Sequence, residues 1–191
     1  MEGINEKLCV VAMAFTMLSL GTSPHPLILI FSYLIHELGH IMFSRIAGAR
    51  MKKFKIGPFH LSFSYDTQGL TYKREMLVQI GGVIFNLLSA FIVYFLPIFN
   101  GEGGTFFVAC NISLALMNLY PISILDGGGL LKNLFFMIMP EDVAVKCSKA
   151  ISFVCAILMW LIAVYLQIVF VANLSLFVIS VVLLIELCFT N

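Results

Sequence analysis

The sequence predicts an all-α, polytopic membrane bundle of about six transmembrane helices, with a short β-hairpin in the loop after the second. Three observations predict it. Of 191 residues, 61% are apolar and 11% charged, and the mean hydropathy is +1.04. A soluble domain carries about a quarter charged residues. The charges here are confined to short stretches between long uncharged runs, and the longer runs match the ~20 residues that a spanning helix needs. The net charge of +1 excludes a strongly basic nucleic-acid binder. The length fits a single membrane domain, 1–191, with no soluble module.

Leu8–Leu20 is read as the first helix, a short one, closed by the Gly21-Thr-Ser-Pro-His-Pro26 break. A signal peptide is the rival reading of that stretch, but Glu2 and Glu6 spoil its basic start and no small-x-small cleavage site follows. The second helix runs about Leu27–Ala47. Within the basic segment Arg50–Arg74, Phe59–Ser64 alternates large apolar with smaller polar residues between two turn signals, Gly57-Pro58 and Asp66–Gly69. Met76–Gly101 spans once, ending near Pro97, and Gly103–Leu125 spans again. Gly127–Gly129 opens a loop, and Leu130–Met139 is too short to cross. Ala150–Ile185 is uncharged for 36 residues, enough for two crossings with a reversal within Gln167–Ser175. The C-terminal helices together occupy about 148–188. This arrangement puts all 11 lysines and arginines on one side, which makes that side and both termini cytoplasmic. The 5 cysteines are scattered singly, with Cys147 in a loop, and form neither a disulfide framework nor a thiolate metal site.

Ionisable residues inside an apolar run are costly and mark function. The second helix carries His36-Glu37-Leu38-Gly39-His40. Histidines four apart lie on one helix face, so both imidazoles reach a single metal ion. The glutamate between them stands beside the ion, placed to take a proton from water. Two nitrogens, a carboxylate from elsewhere and an open position suit zinc. The blander reading has these groups capping a helix end or pairing with Arg45. The cost of an unpaired glutamate in an apolar run puts the metal reading ahead. His40 lies about ten residues from the basic loop, hence ~15 Å from the cytoplasmic face. Of the other acids, Asp126 is the one that topology delivers to that level, with Gly127–Gly129 expected to unwind the backbone and turn it inward. A loop aspartate in an Asp-Gly turn is an equal reading of the spacing. Asn86 and Asn118 are amides in apolar helices, able to donate to an oxyanion or a substrate backbone, or to glue helices together. Gly81-Gly82 allows close helix packing. His25 and His60 have no partner at motif spacing and are read as non-ligands.

These motifs resemble the site-2 protease family of intramembrane zinc metalloproteases: His36-Glu37-Leu38-Gly39-His40, then Gly81-Gly82 with Asn86, then Asn118-Leu-Tyr-Pro-Ile-Ser-Ile-Leu-Asp126-Gly127, which has the form N-x-x-P-x-x-x-L-D-G. They occur in family order, within a catalytic core of about 27–128. The resemblance implies one zinc per chain held by His36, His40 and Asp126, with Glu37 as the catalytic acid/base. It implies a substrate that is a transmembrane segment of another membrane protein. It also implies a multi-pass protein of the bacterial cytoplasmic membrane, whose partners are that substrate, the lipid bilayer and no nucleic acid. A regulatory membrane protein and an oligomer stay open. Without a PDZ domain, the chain is similar to the compact branch of the sporulation sigma-factor-processing protease. It stops at Asn191 without that branch's C-terminal regulatory domain, as a variant lacking that domain or a truncated chain would, and nucleotide regulation stays open.

A helical substrate hides its carbonyls and must unwind before it is cut. Pairing with an edge strand would hold it open, and Phe59, His60 and Leu61 begin the strand expected to do so. An ordinary surface hairpin is nearly as good a reading. Two other functions compete. A metal or proton transporter would place polar groups through both membrane halves, often in inverted repeats. An inactive adaptor that binds transmembrane segments would have no use for Glu37.

Overall fold

The computed structural model describes residues 25–56, 61–66, 69–96, 101–170 and 174–189. The first helix expected at Leu8–Leu20, and the strand residues Phe59 and His60, lie outside the described residues. The element order is α1 (His25–Ala47), β1 (Arg50–Ile56), β2 (Leu61–Asp66), α2 (Tyr72–Phe95), α3 (Glu102–Asn118), α4 (Asp126–Phe136), α5 (Glu141–Phe170) and α6 (Leu174–Phe189). Among the described residues three segments are long and apolar enough to cross a membrane: Leu27–Ala47, Tyr72–Phe95 and Glu141–Val169. Their outward faces carry large apolar side chains, among them Leu27, Phe31, Phe91, Ile162 and Ile168. The interior holds Ser32, Ser44, Asn86, Asn111, Ser152 and Ser180. That inverted polarity fits a protein solvated by lipid, where hydrogen bonds and small residues hold helices together.

The ends of the elements follow from local chemistry. α1 stops at Gly48, whose φ of 78° is costly for other residues. Its N–H donates to the Arg45 carbonyl at 3.1 Å, and Ala49 N–H donates to Ser44 at 2.9 Å. This paired closure at a glycine is a Schellman motif, and Arg45 sits favourably in the negative last turn. The chain then enters β1, which pairs antiparallel with β2 from Arg50 opposite Asp66 to Ile56 opposite Leu61. A bulge between Met51 and Lys53 puts one extra residue on β1.

Four sequence expectations shift. α2 starts at Tyr72 rather than Met76, with Glu75 in its positive first turn instead of in a loop. α3 ends at Asn118, seven residues short of the expected Leu125. Pro121 has no N–H to continue the ladder and disfavours helix in the residue before it. Cys147, expected in a loop, is a helical residue of α5, and so are Glu141 and Asp142, which lie outside every expected crossing. Pro140 accepts the first helical bond from Ala144 at 2.9 Å, and the two acids lie where the helix dipole favours them.

The fourth correction concerns Gly127–Gly129, which do not unwind. They form the first turn of α4. Their need for glycine is close packing: a Cβ on Gly127 would stand 2.2 Å from the Leu119 carbonyl oxygen, and one on Gly128 2.1 Å from that of Ile122.

Three contacts position the functional residues. α1 and α2 meet through backbone, since a Cβ on Gly39 would lie 2.3 Å from the Gly81 carbonyl oxygen. Asn111 of α3 donates to Ser32 of α1 at 2.8 Å and accepts from Ser89 of α2 at 3.0 Å, which ties three helices in one polar layer. Ile122, fully buried, packs with Ala156 of α5 and with Leu183 and Leu187 of α6. The C-terminal helices thereby buttress the turn that leads to Asp126.

Candidate metal centre

His36 and His40 are one turn apart on α1, and Asp126 opens α4. The local sequence explains the convergence. Gly39 lets α2 come against the histidine face of α1, and Gly127 and Gly128 seat the start of α4 on the Leu119–Ile122 backbone. The three ligand atoms form a nearly equilateral triangle. His36 Nε2 is 3.1 Å from His40 Nε2, and Asp126 Oδ2 is 3.1 Å from the first and 3.2 Å from the second. Among the described residues, this His–His–Asp group is the one cluster of histidine, cysteine and acid side chains that could hold an ion.

The chemistry of this donor set can be tested against a cation. His40 Nδ1 lies 2.9 Å from the Val78 carbonyl, which can only accept, so Nδ1 carries the N–H. In the neutral ring Nε2 then presents a bare lone pair, aimed at a carboxylate oxygen. That oxygen, Asp126 Oδ2, is buried and receives no hydrogen bond. Lone pair facing anion at 3.2 Å repels unless a proton or a cation lies between them. Zinc bonds nitrogen and oxygen at about 2.0–2.1 Å, so two ligands of a regular tetrahedron stand about 3.3–3.4 Å apart. The observed edges are close to this. The wall of the cradle is Gly82: a Cβ there would sit 2.6 Å from His40 Nε2 and 2.7 Å from His36 Nε2. The residues present fit a zinc ion.

Glu37 is half-buried, one residue along from His36, with Tyr33 one helical turn earlier on the same face. Asn86 is fully buried beside His36, with its amide 3.3 Å from Nδ1, the ring nitrogen that does not face Asp126. Asn118 is at the end of α3, where one amide N–H is donated to the Leu114 carbonyl at 3.0 Å. Leu61 opens β2.

Sequence reasoning did not single out Tyr33, Val78, Gln79, Asn111 or Asn133. Tyr33 was findable, because it lies four residues before Glu37 and so on the same helix face. Val78 acts through its main chain and leaves no trace in the sequence. Asn133 of α4 donates to Gln79 of α2 at 3.3 Å, and a Cβ on Gly129 would meet that same Gln79 amide at 2.3 Å. This amide contact fixes the approach of α4 to α2, and only the fold brings the two residues together.

Comparison with known proteins agrees with this architecture. The model of Peptidase family M50 matches residues 104–162, a stretch that includes Asn118 and Asp126. Stage IV sporulation protein FB of Bacillus subtilis (strain 168) is 30% identical over 130 residues, covering 66% of this chain. The chain spans less than half of that relative, 45% of its length. The solved structure of the Site-2 Protease from Methanocaldococcus jannaschii superposes with a TM-score of 0.68 at 19% identity, covering 96% of this chain and 85% of the other. At that identity the likeness speaks for the fold. With its apolar helices, the chain is an integral membrane protein, similar over part of its length to Peptidase family M50 and to the sporulation protein, and sharing the fold of the Site-2 Protease.

Proposed function

We propose that this chain is an intramembrane zinc metalloprotease, which hydrolyses a peptide bond in or near a transmembrane segment of a membrane-tethered substrate. The observation that carries the reading is the triangle of His36, His40 and Asp126 donors with Glu37 on the adjoining helical position, all within an apolar helix bundle. The similarity to Peptidase family M50 over residues 104–162 and to the sporulation protein supports it.

In this reading His36 and His40 each present Nε2, and Asp126 presents Oδ2, to one zinc. When bound, zinc polarises the scissile carbonyl and lowers the pKa of water toward about 7. Glu37 takes the proton of the attacking water and later hands it to the leaving nitrogen. Tyr33, one turn earlier on the same face of the helix, is placed to hold that carboxylate in one orientation between the two transfers. Asn118 keeps a second amide N–H beyond the one given to Leu114, and it serves to bind a substrate carbonyl. The β1–β2 pair, whose second strand opens at Leu61, holds the unwound substrate as an added strand, and Phe59 and His60 just before it in the sequence are proposed to take part. Six crossings, with both termini in the cytoplasm of a bacterium, complete the proposal.

The test is co-expression with membrane-tethered substrates, reading both cleavage and metal content of the purified protein. Glu37→Gln is expected to abolish cleavage while keeping zinc, because the glutamate is not a ligand. Full cleavage by that variant, or by protein stripped of metal, overturns the reading.

A further inference from the structure

We propose that Asn86 is the positioning residue of the metal centre: its side-chain oxygen accepts the Nδ1–H of His36, which fixes the imidazole in the tautomer whose Nε2 is free to bind zinc. This inference rests on the zinc reading above and extends it to a residue behind the ligands.

Asn86 and His36 form an unmatched pair. Asn86 is 0% exposed, and its amide nitrogen lies 3.3 Å from His36 Nδ1. Its oxygen is buried with no hydrogen-bond partner. With Nδ2 toward the ring, Asn86 is a donor, and His36 Nδ1 must be the lone pair. Neutral His36 would then carry its proton on Nε2, the atom that stands 3.1 Å from both His40 Nε2 and Asp126 Oδ2. A protonated Nε2 cannot be a ligand. When Nε2 is bare, Nδ1 carries the N–H, and a buried N–H needs an acceptor. The orphaned oxygen of Asn86 is that acceptor. Rotation of the terminal amide by half a turn exchanges two atoms of nearly equal size and matches them, and which amide atom faces a partner is decided by the hydrogen-bond network.

The same logic already operates at the other histidine. There the Val78 carbonyl takes the Nδ1–H of His40 at 2.9 Å. Val78 and Asn86 both belong to α2. One helix thus supplies an outer acceptor to each histidine of α1, one from its main chain and one from a side chain. Metal-bound histidines usually give their second N–H to such a partner.

Apparent zinc affinity, measured in detergent by competition with a chromophoric chelator, tests the inference. Asn86→Ala should bind zinc about 10–100-fold more weakly than the parent protein. Asn86→Asp, which can accept and when ionised cannot donate, should stay within about threefold of the parent. Asn111→Ala removes the buried amide of the neighbouring polar layer without touching His36. It should lower the melting temperature of chelator-treated protein yet leave zinc affinity unchanged. Zinc loss by Asn86→Asp equal to that of Asn86→Ala overturns the acceptor role, as does parental affinity in Asn86→Ala. Equal zinc loss in Asn111→Ala reduces Asn86 to a packing residue. Should Asn86→Ala fail to fold, Asn86→Asp decides alone, since an acceptor role requires it to keep the metal. His36→Ala separates this inference from the reading beneath it: if the parent and that variant bind zinc equally, the zinc reading itself is wrong and the inference falls with it.

Discussion

Replacing Gly82 by alanine should disable the metal centre while sparing the fold. The added Cβ would stand 2.5 Å from His36 Cε1, 2.6 Å from His40 Nε2 and 2.7 Å from His36 Nε2, where ordinary contact begins at 3.4 Å. The rings must therefore retreat by about 0.7–0.9 Å, against a tolerance of about 0.2 Å in metal–ligand distance. They have little freedom to do so, because Val78 and Asn86 stand against their other nitrogens. We expect zinc affinity to fall at least about 100-fold, or about 2.7 kcal/mol. The fold has less to lose. Crowding the two rings costs about 1–3 kcal/mol, of which alanine in a helix interior returns about 0.5–1 kcal/mol over glycine. Thermal unfolding in the presence of a chelator should leave the melting temperature within a few degrees of the parent. Chelator competition then reads the metal. A Gly82→Ala protein that folds and binds zinc with parental affinity would refute the placement of both imidazoles against α2.

Gly39→Ala should do the opposite kind of damage: its Cβ would meet the Gly81 carbonyl, which cannot swing aside, so a loss of about 1–3 kcal/mol or more is expected in chelator-treated protein as α1 and α2 are forced apart. Asp126→Ala should lower zinc stoichiometry in elemental analysis, and unchanged metal content would remove Asp126 from the ligand set. Ile122→Ala should cost about 2–5 kcal/mol in thermal unfolding, because this fully buried side chain joins the turn before Asp126 to α5 and α6.

The ligands were legible in the sequence because their signal is local or topological. His36 and His40 announce themselves by helical spacing inside an apolar run. Asp126 was reached by depth, from the uncharged run that precedes it. The three glycines after it were visible too, but their purpose was misread. Glycine permits both unwinding and close approach, and only the neighbouring backbone decides between them. Here the Leu119 and Ile122 carbonyls, brought in by the stop at Pro121, require the second. The end of α3 was overestimated because the apolar run continues past Asn118, and hydropathy does not register the missing N–H of proline. Asn111, Gln79 and Asn133 escaped notice because their partners are 22 to 79 residues away in the chain. Cys147 was assigned to a loop on the strength of surrounding charges, although charges at a helix start are equally compatible with its dipole.

The glycine seams that join α1 to α2 and seat α4 set main chain directly against main chain. Such seams have no compressible side chains to absorb a change in spacing, so the gap between the ligand atoms is inelastic. A calcium ion takes about 6–8 oxygen ligands, and two imidazole nitrogens with one carboxylate supply neither that number nor that kind of donor. The backbones thus fix where the three donors stand, and the identity of the donors selects the ion.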